Sequence, residues 1–105
     1  MAMNAIGDLN VQPLKTVSPN LSNDAEFFPG MVKKWGLGFM ISTEPVPGGR
    51  SAGSLAWAGL GNTYFWTDLD RGIAGVILIQ LLPFADPKAL ALFDQFEKAV
   101  YASVT

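Results

Sequence analysis

The sequence predicts an α+β domain, an antiparallel sheet of three to four strands covered by a C-terminal helix. Three observations carry that reading. Residues 62–68 alternate, with Thr63, Phe65 and Thr67 on one side and Tyr64, Trp66 and Asp68 on the other, the period of a strand with two different environments. Residues 73–79 are apolar throughout, as in a strand covered on both faces. Residues 89–100 repeat apolar side chains at helical spacing. A chain of 105 residues, half of them apolar and 15% charged, holds one packed domain and is not a disordered polymer.

Taken in order, residues 1–34 read as an irregular N-terminal segment. Pro13, Pro19, Asn20, Asn23, Pro29 and Gly30 interrupt any regular element. Residues 35–105 form the sheet-and-helix portion. Residues 35–43 are rich in aromatic and β-branched side chains and read as one strand. Pro45, Pro47, Gly48 and Gly49 make a loop, and Leu55 to Ala58 a short strand that runs into Gly59. The run 69–72 is a turn between the alternating strand and the apolar one, which is expected inside the sheet. Asp86 can cap the helix, and Pro87 suits its first position because the missing N–H would have no partner there. Ala89, Leu92, Phe93, Phe96, Ala99 and Val100 fall on one face, and Asp94 and Lys98 form an i,i+4 pair.

Composition excludes whole classes of chemistry. There is no histidine and no cysteine, so neither a Ser-His-Asp triad nor a thiolate or imidazole metal site can be built from this chain. No cofactor and no metal is expected. A net charge of −2 argues against nucleic acid as a partner, because phosphate neutralisation needs a basic face. The apolar stretch 72–85 is too short to span a bilayer and contains Pro83. The first residues lack the basic start and apolar core of a signal peptide, as they also would if this were the tail of a longer chain.

Gly49-Arg50-Ser51-Ala52-Gly53 matches the G-x-S-x-G pattern of a nucleophile elbow, but such an elbow lies between a strand and a helix. Here a Pro/Gly loop precedes it and a strand follows, so a turn is expected. Tyr64-Phe65-Trp66 reads as cross-strand packing rather than a stacking platform. Asp68 and Asp70 read as turn formers rather than metal ligands. Trp57-Ala58-Gly59-Leu60 is a strand ending in small residues, where a ligand can approach the backbone and an N–H can meet an oxyanion. From spacing alone a tight turn between antiparallel strands is the better reading.

The succession Trp35-Gly-Leu-Gly-Phe-Met-Ile, Gly49 to Asp68, Arg71-Gly-Ile-Ala-Gly-Val and Gln80-Leu-Leu-Pro-Phe-Ala-Asp resembles the C-terminal end of the serine β-lactamase/penicillin-binding-protein-like hydrolases, class C β-lactamase-related proteins and family VIII esterases above all. The resemblance covers nearly all of this chain and about the last quarter of such a protein. It implies a β-lactamase/transpeptidase-like fold. It puts Trp57-Ala58-Gly59 at the third active-site motif, with Leu60 N–H an oxyanion donor, Trp57 lining the acyl pocket and Gly59 letting substrate lie against the strand. Trp57 cannot supply the positive charge of the family's lysine, which favours ester over β-lactam chemistry. No serine here has a lysine three residues on, and Tyr101-Ala102-Ser103 matches the Tyr-x-Asn/Ser motif only in letters. The chain is therefore expected to be a C-terminal fragment of a serine hydrolase, inactive alone, with no catalytic residue of its own. Its expected partner is the missing N-terminal portion or a second copy, the latter because 73–79 would expose an unpaired edge. The other reading is a stand-alone small α+β protein that acts by self-association or partner binding.

Overall fold

The computed structural model describes residues 1–104. Its elements are β1 (Lys33–Trp35), β2 (Met40–Ser42), β3 (Leu55–Gly59), β4 (Thr63–Asp68), β5 (Ile73–Ile77) and α1 (Pro87–Ser103). The strands form one antiparallel sheet in chain order, β1-β2-β3-β4-β5, and α1 covers one face. The sheet thus has five strands rather than three or four. The strand expected over residues 35–43 is split by Gly36-Leu37-Gly38 into two short ones that pair as a hairpin, Trp35 opposite Met40. Gly38 takes a φ of +128°, which a strand interior does not allow for other residues.

The alternation read in β4 holds. Tyr64, Trp66 and Asp68 are buried toward the helix, while Thr63, Phe65 and Thr67 are half-buried on the other side. Met40, Ala56, Trp66 and Tyr101 form the core, and Phe93 and Val100 pack against it. Gly75 stands opposite Trp66 across β4 and β5. A methyl there would lie 2.2 Å from the indole, so the ring requires the glycine.

Strand β5 is not covered on both faces as its apolar run suggests, but it leaves the open edge expected of a fragment. It pairs with β4 alone and lies at the sheet edge, with Ala74 and Val76 exposed. The other edge is occupied. Residues 5–11 run beside β1, with Ala5 N–H donating to Trp35 O at 2.8 Å and Val11 N–H to Lys33 O at 2.9 Å. The irregular segment continues around the sheet and bridges Leu14 to Ala25 and Ser22 to Phe84.

The helix begins as expected, Asp86 accepting from Ala89 N–H at 3.0 Å with Pro87 next. Its inward face is rotated from the expected one. Ala89, Phe93, Glu97, Val100 and Tyr101 face the sheet, and Leu92, Phe96 and Ala99 are exposed. Buried hydrogen bonds, Glu97 accepting from Arg50 and Tyr101 donating to Asp68, set that rotation. No described helix is long and apolar enough to cross a membrane.

Candidate functional site

Strand β3 has two different halves. Its first residues are flanked on both sides, because β2 pairs with Leu55 and Ala56. Residues 57–59 pair with β4 only, through Trp57–Phe65, Ala58–Tyr64 and Gly59–Thr63, and carry no strand on their β2 side. Trp57 is held edge-on by Trp35 (centroids 4.7 Å apart) and Phe27 (5.9 Å). Leu60 is 55% exposed. Gly59 has ordinary negative φ, and a methyl built on it would meet only Thr63 Cβ, at 3.7 Å. Neither backbone conformation nor packing within the chain calls for a glycine there.

The turn that follows is fixed from below by Asn62. Its φ of +63° is tolerated by asparagine better than by most side chains. Its amide is fully buried, donates to Leu81 O (2.9 Å) and Pro83 O (2.8 Å), and accepts from Tyr64 O–H (2.6 Å) and Asp86 N–H (3.0 Å). One side chain thus ties the end of β3 to the loop before α1 and to the helix cap. Burial pushes the Tyr64 phenol above its ordinary pKa, so it remains the donor in this set.

Gly49-Arg50-Ser51-Ala52-Gly53 forms the turn that was expected, and the structure accounts for its residues. Arg50 is buried and gives its backbone N–H, Nε and Nη2 to Glu97 on α1, at 2.9, 3.0 and 2.5 Å. Phe28, Trp66 and Phe93 surround the guanidinium at 5.0–5.7 Å. A methyl on Gly49 would meet Glu97 Oε2 at 2.4 Å, and Gly53 has a φ of +84°. Ser51 donates its hydroxyl and its N–H to Asp68 Oδ2, at 2.9 and 3.0 Å. The one carboxylate beside it, Asp68, is held below its ordinary pKa and is a weak base, so the Ser51 hydroxyl reads as a structural donor.

Asp68 is a turn former and more. Oδ1 accepts from Arg71 N–H, and Oδ2 also accepts from Tyr101 O–H at 2.7 Å. Burial works against its charge, but the hydrogen bonds from Ser51, Tyr101 and Arg71 outweigh it and hold the carboxyl below its ordinary pKa. Tyr101 is pushed up to about 12, by burial and then by its bond to Asp68, and it accepts from Trp66 Nε1 at 3.0 Å. Among the described residues no cluster of acidic groups could hold a metal ion.

Sequence reasoning missed Arg50, Glu97, Asn62 and Tyr101 as buried polar groups. Glu97 left a signal, an acid at i+4 from Phe93 and i−4 from Tyr101 on the apolar stripe of α1.

Comparison with known proteins decides what this architecture belongs to. The family profile described as Beta-lactamase matches residues 3–98. The chain belongs to the beta-lactamase family. A curated relative, the ML-236A carboxylate methylbutanoyltransferase of Penicillium citrinum, is 33% identical over 89 residues, 83% of this chain and 21% of that protein. Among solved structures, a LovD9 mutant of simvastatin synthase from Aspergillus terreus superposes with a TM-score of 0.68 at 33% identity. It aligns with 70% of this chain and 19% of its own. The unliganded form of that synthase gives 0.68 at 32%. This chain spans about a fifth of the length of the relatives it matches. These matches bear out the resemblance to β-lactamase-related proteins, and the curated relative is named a methylbutanoyltransferase.

Proposed function

We propose that residues 57–60 are the oxyanion and substrate-binding strand of a serine acyl-enzyme catalyst, the nucleophile and base of which lie in a segment this chain does not contain. Gly59 carries the proposal. The chain itself has no use for its missing side chain, and it sits where β3 has no neighbour on one side. That is the arrangement a substrate needs to lie along a strand. Leu60 N–H, just beyond it, is the proposed donor to the developing oxyanion. Trp57 is the proposed wall of the acyl pocket. The acyl group would be carried on serine and passed to water or to another hydroxyl. The acyltransferase relatives favour the second fate, and the neutral Trp57 favours an ester over a β-lactam.

On this reading the chain alone does not hydrolyse nitrophenyl butyrate above background and takes no fluorophosphonate label. The same chain grafted behind the preceding four-fifths of the Penicillium methylbutanoyltransferase does both. Labelling of Ser51 in the isolated chain, with turnover, would falsify the proposal.

The open edge of β5 supports a second reading, that the isolated chain associates with itself. Unpaired backbone groups beside exposed Val76 and Leu78 form a template for another strand, and no charge lies between residues 72 and 85 to oppose it. Light scattering at micromolar concentration is expected to give a dimer, with Val76→Lys giving a monomer. A wild-type monomer would remove this reading.

A further inference from the structure

A cavity of about 160 Å³ lies between α1, the sheet and the strap of residues 26–28. Phe27, Phe28, Met40, Ala56, Trp57 and Phe93 supply most of its wall. Its polar wall groups are engaged within the protein: Arg50 with Glu97, and Tyr64 O–H with Asn62. Among the described residues the one buried side-chain polar atom without a partner is Ser42 Oγ, which does not line this cavity. The cavity therefore offers an occupant contact surface and no free buried polar side chain. Glu26 and Asp94 also line it and are exposed to solvent; Asp94 is paired with Lys98 at 2.9 Å, and the acidic charge at Glu26 disfavours an anion.

We infer that this cavity is a binding site for a small neutral apolar molecule, an aromatic ring or branched alkyl group. An enclosed apolar cavity of about 150 Å³ takes up benzene or xenon, and the present pocket, partly open to solvent, has a comparable volume. Binding replaces solvent at its apolar walls by dispersion contacts with side chains that are already in place. The cavity shares Trp57 with the proposed acyl pocket, but the inference needs no nucleophile and is tested without turnover.

The test is titration of the full chain with benzene, benzoate and tetramethylammonium, followed by the methyl resonances of Met40 and Ala56. Benzene is expected to give saturable shifts and the two ions none. Ala56→Ile, which places a bulkier side chain on the wall, is expected to weaken benzene binding by about tenfold or more. Because that variant can fail to fold, xenon on the wild-type chain is the second readout, with shifts expected at the same two methyls. Silence toward both benzene and xenon overturns the inference. So does an equal response to either ion, or undiminished benzene binding in a folded Ala56→Ile.

Discussion

The helix face of the sheet and the free end of β3 are built on opposite principles. Beneath α1, Glu97 holds Arg50, Asp68 gathers three partners, and Asn62 ties two loops together. At residues 57–60 one side of the strand has no neighbour, Leu60 is exposed and Gly59 is unconstrained. The first region has its partners within the chain and accounts for the fold. The second is the proposed substrate-binding strand, open on one side within this chain. Substitutions beneath the helix are therefore expected to cost stability, and substitutions at the strand end to cost activity alone.

The largest expected effect is that of Glu97→Ala. It leaves Arg50 buried without its counter-charge, at a cost of about 3–5 kcal/mol. The paired replacement Arg50→Met with Glu97→Leu is expected to recover most of that in urea unfolding. A small loss in Glu97→Ala would mean that solvent reaches Arg50 and that the helix face is not closed.

Two glycines give the next contrast. Gly75→Ala drives a methyl into Trp66 and is expected to destabilise by about 1–3 kcal/mol. Gly59→Ala meets only ordinary contact and is expected to stay within about 0.5 kcal/mol of wild type. Thermal unfolding of the two variants reads this directly, and equal losses would erase the distinction between the regions.

The smallest effect is a pH dependence. Asp68 has a lowered pKa in the fold, so its contribution is full above the ordinary carboxylate value of 3.8. It is lost as pH falls through the lower, folded value. Wild-type stability is expected to decline on that acid limb, and Asp68→Asn to be less stable near neutrality and flatter below pH about 4. An unchanged acid limb in Asp68→Asn would assign the decline to other carboxyls.

How much of this was legible in the sequence follows the same division. The alternation of β4, the cap at Asp86 and the family motifs are local or ordered along the chain, and each was readable. The split at Gly36-Leu37-Gly38 was not, because apolar strand-like residues continue across it. The apolar run at residues 73–77 argued for an interior strand, yet among the described residues only β4 pairs with it, which leaves its other edge open. The helix face was misjudged because hydrophobic periodicity ignores a buried acid. Glu97 turns inward to meet Arg50, 47 residues earlier, Leu92 turns outward, and Phe96 is left at the rim with its ring edge-on to Trp66. At residues 57–60 spacing alone favoured a tight turn between strands, and the structure has one, Asn62 N–H donating to Gly59 O at 3.2 Å. The absence of a steric reason for Gly59, visible only in three dimensions, is what supports the proposed substrate role beside that turn.

The most direct test of the account is turnover of nitrophenyl butyrate by the grafted enzyme carrying Leu60→Pro or Leu60→Ala. Proline deletes the proposed oxyanion donor and alanine keeps it. The account predicts a fall on the order of 100–1,000-fold in kcat for Leu60→Pro. For Leu60→Ala it predicts a kcat within a few-fold of wild type. Full activity in a folded Leu60→Pro, or an equal fall in both variants, would contradict it.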